Sequence, residues 1–219
     1  MLEARPDELE LAGGRVFVRG VPDRAVTLAQ VVQTANPLRG TIPADWEGPG
    51  LEATRYFAPP GGAFASGCHA ALIEVDVETG LLRFLKYVVV HDCGPVINPL
   101  IVEGQIRGGV AQGIGNAFYE KLVYDESGQL LTQTFMDYLL PTVAEVPPIE
   151  IGHVETPSPL NPLGIKGAGE AGVIPVPAVV ASALDDALSD AGVGITEMPL
   201  SPARLLEIIR AAHSTPTPA

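Results

Sequence analysis

The sequence predicts an α+β protein in which mixed sheets with hairpins pack against helices. Three observations carry this. Glycine (24) and proline (21) together make about a fifth of the 219 residues, which fits many short elements joined by shaped loops rather than a helical bundle. A run of period-2 alternation and a second extended run flank Glu78-Thr79-Gly80, and a period-four apolar stripe follows Pro99.

Taken in order, Arg15-Val16-Phe17-Val18-Arg19 alternates as a half-buried strand does, and Thr27 precedes the helical stretch Leu28 to Ala35. From Asn36 to Ala65, proline and glycine recur without sustained periodicity around Trp46, Tyr56 and Phe57, so a long connection is expected there. Ala71, Ile73, Val75 and Val77 alternate with Leu72, Glu74 and Asp76, and a second run spans Leu81 to His91. The two form a predicted β-hairpin. Val102, Ile106, Val110 and Ile114 then mark the buried face of a helix running from Pro99 to about Phe118. Glycines at 104, 108, 109, 113 and 115 oppose that helix by about 1 kcal/mol each. Close packing or a close-lying ligand must require them. A further hairpin is expected over Leu122 to Tyr124 and Leu130 to Tyr138, and a strand near Ile149 to Val154. A helix from about Ala178 to Ala191 and a last one from Pro202 to Ala212 complete the chain.

Composition bounds the function. Hydrophobic residues make 47% of the chain and charged ones 18%, enough apolar surface to support a core. The 13 basic against 26 acidic residues give a formal charge of −13, which repels phosphate backbones and anionic lipid surfaces. Neither nucleic acid nor membrane is expected as a partner. The N-terminus has no basic and apolar leader pattern and no apolar run reaches membrane-span length, so a cytoplasmic location is expected. Two cysteines, Cys68 and Cys93, are too few for a disulfide framework or a cysteine-ligated cluster. Cys68-His69 with His91 and Cys93 invites a zinc reading, but adjacent strand residues point to opposite faces and the spacing fits no standard site. No G-x-S-x-G elbow is present for a serine hydrolase, and no G-x-x-x-x-G-K-[ST] phosphate loop.

Gly164-Ile165-Lys166-Gly167-Ala168-Gly169-Glu170-Ala171-Gly172 sets four glycines in nine residues around one carboxylate. It reads either as a glycine-rich turn with a solvated Glu170 or as a general base in a tight, partly dry pocket. Together with Val90-His91-Asp92-Cys93-Gly94-Pro95-Val96-Ile97-Asn98-Pro99 and the run Val102 to Gly115, this stretch resembles the molybdenum-binding large subunit of the xanthine dehydrogenase, aldehyde oxidase and carbon monoxide dehydrogenase family. The three blocks fall in the family's order.

The resemblance implies a molybdopterin-binding domain of a molybdenum hydroxylase acting on an aldehyde, purine, heterocycle or carbon monoxide with water-derived oxygen. Glu170 would be the catalytic general base. Gln105 would hydrogen-bond the cofactor, for which an amide is suited because it donates and accepts at once. Gln112 lies seven residues on, on the same helix face two turns later. Ala168 and Gly169 would also line the cofactor. Molybdenum would be held by the pterin's dithiolene, often as a dinucleotide such as the cytosine form, with no protein ligand to the metal. Iron–sulfur and FAD cofactors would sit on partner subunits. Family large subunits are several times longer, so the chain is expected to be one C-terminal molybdopterin-binding domain over 1–219. Residues 1–65 would be its lead-in, 66–213 its core and 214–219 a disordered tail, with the upstream half, the iron–sulfur subunit and the flavin subunit as partners. A noncatalytic scaffold or assembly subunit that keeps the fold without cofactor is the alternative.

Overall fold

A computed structural model describes residues 1–36 and 54–214. Much of the connection expected around Trp46, and the tail beyond Ser214, lie outside the described residues. The chain divides into two compact units, Met1–Ala58 and Pro59–Ala219.

The first unit is a three-stranded antiparallel sheet, β1 (Leu9–Ala12), β2 (Arg15–Val18) and β3 (Val21–Thr27), followed by α1 (Leu28–Thr34). The β1–β2 turn uses Gly13 and Gly14, both at positive φ, which glycine adopts without steric penalty. Thr27 caps α1: its hydroxyl accepts from the Gln30 amide at 3.2 Å, and the Gln30 side chain accepts from the Thr27 amide at 2.8 Å. The flanking strands escaped the alternation reading because β3 carries Pro22, Asp23 and Arg24 on exposed positions.

The second unit holds β4 (Ser66–Val75), β5 (Leu82–Asp92) and β6 (Ile149–His153), in that order. The β4–β5 hairpin is antiparallel as predicted, while β6 runs parallel to β5, aligning His153 with His91. At the hairpin turn, the Gly80 amide donates to the Asp76 carbonyl at 2.7 Å, and Gly80 has φ +73. One face of β5 presents Tyr87, Val89 and His91 to the interior. Against it pack α2 (Pro99–Ile114), α3 (Val176–Ala187) and α4 (Pro202–Ser214). Ile106, Val110 and Ile114 from the predicted stripe are 0–1% exposed, and Val180, Leu184, Leu205 and Ile209 close the core. Full burial of each such side chain contributes about 1.5–3 kcal/mol.

Asn98 caps α2 by accepting from the Ile101 amide at 3.3 Å, and Pro99 occupies the first turn, where its missing N–H costs nothing. The helix ends as a π turn, Gly115–Tyr119, rather than continuing in α geometry to Phe118. α3 is shorter than predicted, its last turn tightening to a 3-10 segment at Ser189–Ala191. The expected hairpin over 122–138 is reduced to one bridge, Tyr124 to Leu130, and Thr134 to Tyr138 form turns. Leu131, Phe135 and Met136 are exposed, and an isolated two-stranded ribbon without a face to bury is marginal in water.

Candidate active site

The C-terminal end of β5, the exposed side of α2 and the 164–172 segment meet in one place. Gly94 has φ +69 and Gly164 φ +70, and a β-carbon on Gly94 would collide with the Gly164 carbonyl. On Gly164 one would lie 2.8 Å from the Pro157 side chain. Asn161 brackets Ile165, donating to its carbonyl at 2.8 Å and accepting from its amide at 3.1 Å. The Lys166 amide donates to the Cys93 carbonyl at 2.8 Å, and the Gly167 amide to the Ala63 carbonyl at 3.1 Å.

The carbonyl of Glu170 then accepts from the Val173 amide at 3.0 Å and the Ile174 amide at 3.3 Å, turning the chain into α3. Its side chain is exposed, and no hydrogen bond holds its carboxylate among the described residues. Any walls that would dry this carboxylate come from elsewhere than the described residues. Gln105 reaches the residue preceding Glu170: the Gln105 side-chain amide donates to the Gly169 carbonyl at 3.3 Å. Gln112 shares the exposed face of α2 with Gln105, as the seven-residue spacing requires. Gly169 is exposed and Ala168 is half-buried.

The glycines of α2 separate into two sets. Gly109 faces the loop, where a β-carbon would lie 2.7–2.8 Å from Gly172 and Val173 backbone atoms, and Gly113 faces Val176. Gly172 returns the contact, a β-carbon there meeting the Ile106 carbonyl oxygen at 2.6 Å. Close packing explains these. Gly104 and Gly108 are exposed, and a β-carbon on either would meet nothing within 4 Å. They leave bare backbone beside Gln105 and Gln112.

Two side chains near this place, Asp92 and Lys166, were not singled out from sequence. Asp92 accepts from the Gly94 amide at 2.9 Å and the Thr156 amide at 3.1 Å, and pairs with Lys166 at 3.0 Å. The Gly94 amide first, then the Thr156 amide, hold its carboxyl well below the usual carboxylate range. The motif block contained both Asp92 and Lys166, but nothing in their spacing announced the pair. His69, weighed only as a zinc ligand, is half-buried, with Nδ1 3.0 Å from the Tyr87 hydroxyl and its ring against the Ala171 backbone. Burial lowers its pKa, and likewise that of His91, whose Nε2 has no partner among the described residues. No group of three or more His, Cys, Asp or Glu among the described residues is arranged to hold a metal ion.

A groove of about 620 Å³ lies at the far end of the sheet, beside the Gly80 turn, walled by Phe84, Phe118, Tyr119, Val146 and Leu200. Its charged side chains are already engaged, Arg83 with Glu74 and Glu145 with Thr142.

The family model of the molybdopterin cofactor-binding domain matches residues 1–147. The chain belongs to that family. As a molybdopterin cofactor-binding domain it is 43% identical over 206 residues to the nicotine 6-hydroxylase large subunit of Paenarthrobacter nicotinovorans, covering 94% of this chain and 25% of the relative. It is 34% identical to the carbon monoxide dehydrogenase large chain of Afipia carboxidovorans, covering 95% and 25%. Among solved structures, quinoline 2-oxidoreductase from Pseudomonas putida 86 superposes with a TM-score of 0.80 at 45% identity, over 95% of this chain and 26% of that one. The domain thus spans about a quarter of the length of the curated relatives it matches. The matched family model contains β5 and α2 but stops before the Glu170 segment, which the longer alignments to relatives reach. No helix among the described residues is long and apolar enough to cross a membrane.

Proposed function

We propose that this domain supplies the base-bearing wall of the active site in a molybdenum hydroxylase large subunit that oxidises a small molecule with water-derived oxygen. The observation that carries the reading is the hydrogen bond from Gln105 to the Gly169 carbonyl, which ties an amide on an open, glycine-bared helix face to the backbone of the residue preceding Glu170.

These residues fit the cofactor. With its NH₂ engaged on Gly169, Gln105 keeps its carbonyl oxygen to accept from a pterin edge. Gly104 and Gly108 allow a flat ligand to approach the backbone, Gln112 offers a second amide, and Ala168 and Gly169 border the same space. The molybdenum cofactor, when bound, supplies the two-electron redox chemistry. Gln105 and Gln112 orient it. Glu170 takes the proton from the water-derived nucleophile.

Nitrogen heteroaromatics lead the substrate classes, because nicotine and quinoline appear in the names of relatives above 40% identity. Carbon monoxide, purines and aldehydes follow. The remaining three quarters of a large subunit, an iron–sulfur subunit and a flavin subunit are the partners this reading requires, with the cofactor in dinucleotide form and the assembly cytoplasmic.

Gln105→Ala is expected to weaken cofactor retention, since a pterin edge left without its partner loses about 1–3 kcal/mol. Molybdenum and pterin content of the assembled protein measures this. Wild-type content in the variant makes Gln105 structural and removes the observation on which the reading stands.

A further inference from the structure

The segment carrying Glu170 contains Gly167, Gly169 and Gly172, so little in its own covalent structure restricts it. Its C-terminal end is held by backbone: Gly172 lies against Ile106, and the Val173 and Ile174 amides close on the Glu170 carbonyl. Its N-terminal end is also held by backbone, the Lys166 amide on the Cys93 carbonyl and the Gly167 amide on the Ala63 carbonyl, and a largely buried side-chain pair adds to these. Lys166 Nζ lies 3.0 Å from Asp92 Oδ2, and the two side chains are only 12% and 13% exposed. The other oxygen of Asp92 accepts from the Gly94 and Thr156 amides, so this one carboxylate joins the end of β5, the segment following β6 and the loop.

An ammonium so enclosed and already paired is poorly placed to meet a substrate. An ion pair shielded from water is screened little and cannot lose one member without leaving the other uncompensated. Glu170 stands four residues beyond Lys166, and the Gln105 contact to Gly169 lies between them.

We propose that Asp92 and Lys166 form a positioning clamp that fixes the Glu170 segment to the end of β5, so that Lys166 influences the reaction through Glu170 and not by touching substrate. This rests on the general-base reading of Glu170. Asp92→Asn tests the pair selectively, because the amide oxygen can still accept from the Gly94 and Thr156 amides while the charge is lost.

The test uses the assembled protein and two readouts. Amide hydrogen exchange over 165–172 is expected to quicken about tenfold in Lys166→Met and Asp92→Asn, with α3 unchanged. With quinoline as the probe, kcat is expected to fall by up to about 10²-fold at nearly constant KM, as for a displaced catalytic group. Lys166→Arg restores both. In a Glu170→Gln background, Lys166→Met causes no further loss. Unchanged exchange in both variants overturns the clamp, and so does faster exchange spread through α3, which would make the pair a general support of the fold. The two ideas fail separately: an active Glu170→Gln removes the base, whereas an inactive Glu170→Gln beside a fully active Lys166→Met removes only the clamp.

Discussion

Glu170→Gln is expected to lower turnover of the assembled protein by about 10²- to 10⁴-fold, the range a positioned general base contributes. That corresponds to roughly 3–5 kcal/mol of barrier. Glutamine keeps the length and most of the hydrogen-bonding shape of glutamate but cannot accept a proton at physiological pH. The side chain makes no hydrogen bond to the described residues, so the fold has little to lose. Molybdenum content and thermal stability should therefore stay near wild type while kcat collapses, and a steady-state assay beside elemental analysis separates the two. Near wild-type turnover would show that the proton is taken by another group.

The second large effect concerns two neighbouring glycines with opposite expected signs. A side chain at Gly109 begins 2.7–2.8 Å from backbone atoms of Gly172 and Val173, and backbone cannot step aside as a flexible side chain can. Gly109→Val should separate α2 from the loop and destabilise the protein by about 3 kcal/mol, at the upper end of ordinary overpacking. Cofactor should be lost with it. At Gly108 a β-carbon meets nothing within 4 Å, so Gly108→Ala should gain up to about 1 kcal/mol of helix propensity. The same substitution should reduce cofactor retention, because it roughens the face beside Gln105. Calorimetry gives the signs of the two stability changes. A destabilised Gly108→Ala, or a tolerated Gly109→Val, would contradict the division of the helix into a packed and an open side.

The core side of this architecture was legible because burial imposes a period. The alternation of Ala71 to Val77 and the α2 stripe are statements about which side chains leave water, and Ala71, Ile73 and Val75 pack against the core while Ile106, Val110 and Ile114 are buried in it. Pro99 announced its helix through local backbone chemistry. The parallel pairing of β6 with β5 was not legible, since five residues with one glycine carry no mark of the strand they will join. Nor was the reduction of the 122–138 hairpin, because alternation in Leu130 to Tyr138 states what the segment could bury and not whether a partner face exists.

The site divides in the same way. Glu170, Gln105 and Gln112 were readable as motif residues, and the juxtaposition of Gln105 with the Glu170 segment gives two of them a common place. Asp92 and Lys166 are 74 positions apart and meet only through the fold. The different duties of Gly108 and Gly109 depend on which element packs on which side of α2, a tertiary fact that no helical propensity encodes. His69 was weighed only as a zinc ligand, and its partners, Tyr87 and the Ala171 backbone, come from the packing of the loop on the sheet.

The most direct test of the central claim is the molybdenum content of the protein purified from its native host together with its associated chains. The open face of α2 and the Glu170 segment make sense as the wall of a cofactor site, and the account predicts about one molybdenum per copy of this chain, with pterin in equal amount. A fully assembled, folded protein that carries no molybdenum would contradict it and would make the domain a scaffold that has kept the fold without the chemistry.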